Sequence, residues 1–132
     1  MGASNFQGLG IPKPPPRWQE KAKKLAAASK LQREVYAAVD RRDGTACRVC
    51  YKRVGGLSMV TAREHHHLIP RSQGGEHSTV NVLSLCKPCH LAEHDGRIRL
   101  SGNADTRSQV GVLDGVKLET LKDDNWVVTG WR

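Results

Sequence analysis

The sequence predicts a small α+β domain that is cross-linked by its cysteines, with a basic helix before it and a β-hairpin after it. Three features predict this class: a helix-forming segment without Gly or Pro, two Cys-x-x-Cys pairs, and alternating segments near the C-terminus. The chain has 132 residues, of which 38% are hydrophobic and 5% aromatic. A domain of that length with so few aromatic residues has a thin apolar core, and we expect a cross-link to stabilise it.

The charge of the chain points to a polyanionic partner. Lys and Arg number 21 against 13 Asp and Glu, and the net charge is +8. Such an excess most often serves nucleic-acid binding. The longest apolar run near the start is 25–28, shorter than the roughly 18–20 residues that span a bilayer or the about 7–15 of a signal-peptide core. We therefore expect a cytoplasmic protein that binds nucleic acid and has no membrane association.

The N-terminal third divides into a tail and a helix. Residues 1–16 are rich in Pro and Gly, which predicts a flexible tail. Between Trp18 and Asp40 the residues Ala, Leu, Lys, Glu and Gln dominate, which predicts a helix. Apolar residues at helical spacing predict its buried stripe: Leu25, Ala28, Leu31, Val35 and Ala38. The opposite, basic face is either a solvated surface or one that lies along phosphates.

Residues 17–132 are expected to form a single domain with its core at 47–95. Patterns within the core predict an extended segment, a loop with a Gly-Gly pair, a strand and a helix, in the order 61–69, 70–78, 80–85 and 88–94. Two further alternating segments, 116–121 and 126–131, predict a hairpin with a polar turn. We interpret Trp126 and Trp131 in this hairpin as core residues rather than as platforms for stacking bases.

Four cysteines form two Cys-x-x-Cys pairs, Cys47 with Cys50 and Cys86 with Cys89. Two thiolates at this spacing can bind one tetrahedral zinc ion, and two pairs complete a four-thiolate site. The 35 residues between the pairs exceed the roughly 15–20 of a compact zinc ribbon, so a subdomain must lie between them. Disulfides or free thiols are the alternatives, and the lack of a recognisable secretion signal argues against disulfides. We expect a structural Zn²⁺ without an open coordination position.

Five of the six histidines cluster around these cysteine pairs, at His65, His66, His67, His90 and His94. His90 and His94 are four residues apart on the predicted helix and therefore share one face. With a third ligand from the extended segment, they can bind one divalent ion and leave positions open for water and phosphate. His66 and His67 are adjacent, so on a regular strand they point to opposite faces.

The segment from Cys47 to His94 resembles the HNH endonucleases, which have the ββα-metal (His-Me finger) fold. The resemblance rests on a His-His-x-x-Pro segment that ends at Pro70, the Gly-Gly loop, Asn81 before Leu-x-Leu-Cys, and the Cys-x-x-Cys-His end. It implies a metal-dependent DNA endonuclease that hydrolyses phosphodiester bonds. A zinc-stabilised nucleic-acid-binding module without catalysis is the alternative.

Residue by residue, the resemblance implies His67 as the general base that activates water and Asn81 as its support. It implies that the catalytic metal on the scissile phosphate is bound by His66, His90 and His94. Family members with Asp at the position of His66 often favour Mg²⁺, whereas imidazoles suit Mn²⁺, Ni²⁺, Co²⁺ or Zn²⁺ at least as well. Small members of the family occur in phages and mobile elements. The oligomeric state is open.

Other polar residues near the histidines carry weaker expectations. We expect His65 to face solvent or to lie behind the metal ligands, unless a register shift makes it the strand ligand. His77 is expected at the surface or on a phosphate, and Glu64 at the surface or behind the ligands. The basic residues expected to hold DNA phosphates are Arg71, Lys52, Arg53 and Arg97.

Overall fold

The computed structural model describes residue 10, residues 12–55 and residues 62–132. The elements follow one another as α1 (Arg17–Asp43), β1 (Arg63–His67), a short 3-10 helix (Arg71–Gln73), β2 (Val82–Cys86), α2 (Lys87–His94), β3 (Ile98–Gly102), β4 (Val116–Lys122) and β5 (Asn125–Trp131). This order confirms the predicted α+β class. Most of the predicted tail and the predicted start of the extended segment at 61 lie outside the described residues. No helix in the described ranges combines the length and the apolar character that crossing a bilayer requires.

The predicted helix is present as α1 and is longer by one residue at its start and three at its end. It crosses the boundary between two compact units, Met1–Lys30 and Leu31–Arg132. The described part of the first unit consists of a proline-rich segment and the first half of α1. The second unit holds the rest of α1 and all of the strands.

In the second unit, α1 buries a short apolar face. Val35 and Val39, one helical turn apart, pack with Val82 of β2, and the half-buried Tyr36 packs beside them. The predicted stripe is confirmed at Val35 and is wrong at Leu31, which is 47% exposed. The buried face of α1 is rotated towards Val39, which the predicted stripe did not contain.

β1, β2 and α2 form a ββα unit. β1 pairs with β2 in antiparallel orientation, with His67 opposite Val82 and Arg63 opposite Cys86. All five residues of β2 are buried. α2 begins directly after β2 and has Pro88 in its first turn, where the missing N–H of proline costs nothing.

β3, β4 and β5 form a second antiparallel sheet in that order. The predicted hairpin is β4 and β5, and its turn residues Asp123 and Asp124 have φ of 49° and 62°, as in the type I′ turns that hairpins favour. The expectation of a tryptophan core is wrong. Trp131 is 55% exposed, and the Arg99 guanidinium lies 4.3 Å above the half-buried Trp126 ring. Both tryptophans lie on β5, an edge strand whose side chains are more exposed than those of the central strand β4.

One hydrophobic core joins the two sheets and the first cysteine pair. Its buried residues are Cys47, Val49, Val54, Leu83, Leu85, Cys86, Leu100, Ala104, Val116 and Leu118. Two of the four cysteines are therefore core residues. A metal bound there fastens the loop of the first pair to the end of β2.

A buried carboxylate ties the end of α1 to the rest of the second unit. The Asp43 side chain has no solvent exposure, and it accepts hydrogen bonds from Arg42 Nε at 2.7 Å and Arg48 Nη1 at 3.0 Å. The Ser84 N–H of β2 donates to its other oxygen at 2.9 Å. The two arginines also donate to carbonyl groups further along the chain, those of Thr79, Val82, Ala104 and Arg132.

Asp43 is charged in the folded protein. Burial alone would raise the pKa of Asp43, but hydrogen bonds from Arg42 and the Ser84 N–H, with the charges of Arg42 and Arg48, lower it below its usual range. Because the pKa of Asp43 is lower in the folded than in the unfolded protein, the charged carboxylate stabilises the fold above about pH 4. That stability is lost as the pH falls through the folded-state pKa.

We predict that Asp43→Asn lowers the free energy of unfolding at pH 7 by about 3–5 kcal/mol, because two nearly buried guanidinium groups lose their shared carboxylate. Urea unfolding in excess zinc measures the loss. The difference from the wild type should shrink below about pH 4.

The control for this prediction is Asp95→Asn. The Asp95 side chain is 61% exposed and lies 3.4 Å from Arg97, so its loss should cost less than about 1 kcal/mol. Equal stability of Asp43→Asn and the wild type at pH 7 would contradict the role of the buried carboxylate.

Candidate metal centres and active site

The four cysteines converge, as the sequence predicts. The Sγ atoms of Cys47, Cys50, Cys86 and Cys89 all lie within 4.8 Å of one another, and those of Cys50 and Cys86 are 3.6 Å apart. A tetrahedral zinc ion with Zn–S bonds of about 2.3 Å places its sulfurs about 3.8 Å apart. All four cysteines are free thiols, so the donor set suits a zinc-type ion.

Local backbone geometry presents these sulfurs. In the first pair, the Tyr51 N–H donates to Cys47 O at 2.9 Å and the Cys47 N–H donates to Lys52 O at 2.8 Å, which closes a tight turn. The second pair lies where β2 passes into α2. Burial raises the pKa of the Cys89 thiol, and the nearby Cys47 sulfur raises it further. Four thiols this close cannot all ionise without a cation, which is the electrostatic reason why a divalent ion fits here.

β1 distributes its side chains over two faces. It pairs residue by residue with β2, so successive side chains point to opposite sides. Glu64 and His66 contact residues of α2, whereas His65 and His67 contact Tyr36 of α1. The two adjacent candidate residues, His66 and His67, therefore lie on different sides of the strand.

Three histidines lie together on the α2 side. The buried His66 ring is 5.4 Å from the His90 ring, centroid to centroid, and the His90 ring is 5.6 Å from that of His94. The Glu64 carboxylate contacts His90 Nδ1, and Glu93 Oε2 lies 3.7 Å from His66 Nδ1. Burial, with the charges of the neighbouring imidazoles, lowers the pKa of His66 to about 4. His66 is therefore neutral at pH 7, which is the form that binds metals.

The imidazole nitrogens do not converge as the sulfurs do. Within the described ranges, the cysteines are the only set of three or more donor groups whose ligand atoms all lie within 4.8 Å. His66, His90, His94 and Glu93 line one cavity of about 390 Å³, and their side chains must rotate to share an ion. Because Nδ1 of His90 faces Glu64, Nε2 is the nitrogen that remains for a metal.

On the α1 side, His67 pairs with another histidine. His67 Nε2 and His77 Nδ1 are 3.0 Å apart, and His77 is half-buried. Burial lowers the pKa of His67, and the charges of His77 and Arg71 lower it further. His67 is therefore uncharged at pH 7. His65, on the same side of β1, places its Nε2 2.6 Å from Asp40 Oδ1.

Asn81 shapes the loop that follows His67. Its Oδ1 accepts a hydrogen bond from the Ile69 N–H at 2.8 Å, and its Nδ2 donates to Ile69 O and Glu76 O, both at 3.0 Å. Its own carbonyl accepts from the Leu68 N–H at 2.7 Å. Gly75 packs so tightly here that a Cβ atom would lie 1.7 Å from Ile69 O. Asn81 thus acts on the backbone beside His67 and not on the imidazole itself.

The four basic residues expected on DNA phosphates occupy different positions. Arg71 borders the histidine cavity, and Arg97 lies beside Asp95. Lys52 and Arg53 follow Cys50 in the loop of the first cysteine pair. All four of these basic residues are exposed. Of the four, only Arg71 is among the described residues that line the cavity.

Residues 47–96 match the family described as HNH endonuclease. Residues 47–96 form an HNH domain. The match contains both cysteine pairs, β1, β2 and α2, which confirms the resemblance seen in the sequence. The family that this segment matches consists of nuclease or nucleic-acid-binding proteins. α1 and the sheet of β3, β4 and β5 lie outside the matched segment.

A curated relative is similar to part of the chain. It is named Anaredoxin, from Nostoc sp. (strain PCC 7120), and is 33% identical over 54 residues, which are 41% of this chain and 63% of that protein. The chain therefore covers less than two thirds of the length of this relative.

The site contains residues that the sequence did not single out as members. Glu93 lies three residues after His90. Residues at this spacing share one face of a helix, so the sequence could have placed Glu93 beside the candidate ligands. His77 reaches His67 from a loop ten residues further along the chain, and no periodic pattern connects them. Tyr36 and Asp40 come from α1, which precedes the HNH domain.

We predict that Cys86→Ser lowers the zinc content of the purified protein to less than half of the wild-type value and unfolds much of the chain. The reason is that Cys86 joins the metal to the hydrophobic core. Metal analysis and circular dichroism measure the two effects. Ser101→Ala on β3 is the control, and a Cys86→Ser protein with the wild-type melting temperature would contradict a structural metal.

Proposed function

We propose that this protein is a metal-dependent endonuclease that hydrolyses phosphodiester bonds of DNA. The observation that supports this most is the composition of the cavity of the HNH domain. Its lining combines imidazoles of β1 and α2 with Arg71 and Glu93. One pocket thus offers metal ligands, a proton acceptor and a cation for a phosphate. The net charge of +8 also suits a polyanionic substrate.

The α2 side of the cavity is the proposed position of the catalytic ion. His66, His90 and His94 are its proposed ligands, and Glu64 orients His90 through Nδ1. A divalent ion held by these three imidazoles would supply positive charge to neutralise the phosphate and the departing 3′ oxygen. Imidazole ligands suit Mn²⁺, Ni²⁺, Co²⁺ or Zn²⁺ as well as Mg²⁺.

His67 on the α1 side is the proposed general base. It accepts the proton of the attacking water, a contribution of about 10²–10⁴-fold to the rate. Asn81 is its proposed support, because it holds the backbone of the next two residues, Leu68 and Ile69. A phosphate at the end of β1 lies between the metal ligand on one side of the strand and the base on the other.

Exposed basic residues are proposed to hold the DNA backbone. Arg71 lies at the cavity and contacts the scissile or an adjacent phosphate, while Lys52, Arg53 and Arg97 contact phosphates further away. Such contacts fix the position of the duplex without reading its sequence. The cytoplasm of a bacterium or of a phage-infected cell is the proposed place of action.

We predict metal-dependent nicking of supercoiled plasmid by the purified protein, and loss of nicking by at least about 100-fold in His67→Ala. Gel analysis with Mg²⁺, Mn²⁺, Ni²⁺ or EDTA measures the reaction. His67→Ala must keep the wild-type zinc content and melting temperature for this comparison. Nicking by His67→Ala at the wild-type rate would show that another group is the base.

A non-catalytic nucleic-acid-binding module is the second candidate. The observation that favours it is the spread of the nitrogen donors of His66, His90 and His94, which do not share a common centre as the cysteine sulfurs do. The same plasmid experiment separates the two candidates. DNA binding that weakens with salt, without cleavage in any of the metals, supports the binding module.

We predict that Arg71→Ala weakens DNA binding by a similar factor for unrelated sequences, because a phosphate contact carries no sequence information. The slope of log affinity against log salt should fall by about one unit. Fluorescence anisotropy at several salt concentrations measures both values, and Lys122→Ala, at the end of β4, is the control. An unchanged slope would remove Arg71 from the DNA contacts.

A further inference from the structure

We propose that the end of α1 belongs to the active site, with Tyr36 as a positioning residue that holds His67 and His77. The inference rests on the proposed function, because it concerns the orientation of the proposed base. Tyr36 precedes the segment 47–96 that matches the HNH family. The family match therefore assigns no role to it.

Tyr36 contacts three imidazole rings at once. Its ring stacks on His65 with 4.0 Å between centroids and 11° between planes. It meets His67 and His77 edge-on, with both centroids at 6.3 Å and with interplanar angles of 60° and 86°. Stacked and edge-on arrangements at these distances are the favourable geometries of aromatic pairs.

The stacked pair is itself anchored on α1. Asp40 Oδ1 lies 2.6 Å from His65 Nε2 and 3.3 Å from Arg63 Nη1. Asp40 comes four residues after Tyr36, so the two side chains share one face of the helix. Two residues of α1 therefore hold His65: Asp40 contacts its Nε2 and Tyr36 stacks on its ring. The stacked His65 in turn fixes the plane of the Tyr36 ring.

Together these contacts leave His67 little freedom to rotate. His77 meets His67 at Nε2, and the edge of Tyr36 packs against both rings. The loop that carries His77 is held by Asn81, which donates to the carbonyl of the preceding residue, Glu76. Preorganisation matters for a base, since a displacement of about 1 Å can cost about 100-fold in rate.

The test compares two substitutions of Tyr36. Tyr36→Phe keeps the ring, and Tyr36→Leu keeps apolar bulk without a ring. Trp131→Leu is the matched control, because it removes an exposed aromatic ring on β5. For each protein we would measure kcat and KM for plasmid nicking, zinc content, melting temperature and the NMR signals of the histidine ring protons.

Tyr36→Leu should lower kcat at least about tenfold with KM within twofold, while Tyr36→Phe and the control stay within twofold of the wild type. The ring-proton signals of His65 should shift in Tyr36→Leu and not in Tyr36→Phe. Wild-type kcat in Tyr36→Leu would overturn the proposal. A loss of kcat that only follows a loss of zinc or of folded protein would overturn it as well.

The NMR measurement tests the role of Tyr36 independently of nuclease activity. If the wild-type protein cleaves no DNA, the proposed nuclease activity fails on its own. The histidine signals then still decide whether Tyr36 holds the imidazoles, and unchanged signals in Tyr36→Leu would overturn that claim.

Discussion

The arrangement of the second unit depends on the charge of one buried carboxylate. Asp43 ends α1 and is shared by Arg42, Arg48 and the backbone of Ser84. Burial of a carboxylate is costly unless its charge is paired and its oxygens accept hydrogen bonds. Here both conditions are met by groups from α1, the first cysteine pair and β2. The carboxylate therefore fixes α1 relative to β2, and that position also brings Tyr36 and Asp40 beside the histidines of β1.

The alternation of side chains along β1 determines the chemistry that the HNH domain can offer. Because successive side chains of a strand point to opposite faces, His66 lies on the side of α2 and His67 on the side of α1. One side is suited to a metal and the other to a base, so two adjacent residues can have different tasks. The cysteine site differs from both, because four sulfurs would fill every position of a tetrahedral ion and leave none for a substrate. The cysteine cross-link and the proposed nuclease site are thus separate centres within the matched segment 47–96.

Much of this organisation could be predicted from local patterns. The composition of α1, the spacing of the cysteine pairs and the alternation in β4 and β5 each depend on neighbouring residues, and all three predictions are confirmed. The buried stripe of α1 was predicted correctly at Val35 and wrongly at Leu31. Val39 was missed because it is buried against β2, a strand that the helix sequence itself does not reveal. The tryptophans of β5 were misassigned, since strand order decides which strand forms an edge.

The parts of the site that could not be predicted depend on contacts between distant residues. His77 meets His67 only because a tight loop, held by Asn81 and Gly75, returns the chain to β1. Tyr36 and Asp40 lie beside the histidines because α1 packs against β2, and no sequence motif connects them to the histidines. Likewise, the sequence shows Arg42, Asp43 and Arg48 as ordinary charges, and only burial makes them a network.

The central claim is that a DNA phosphate binds between a metal on the α2 side of β1 and the imidazole of His67 on the other. A crystal structure of His67→Ala with a short DNA duplex and Mn²⁺ tests it most directly. We expect anomalous density for the ion within bonding distance of His66, His90 and His94, with a phosphate between it and residue 67. A duplex bound on another face, or an ion held elsewhere, would contradict the claim.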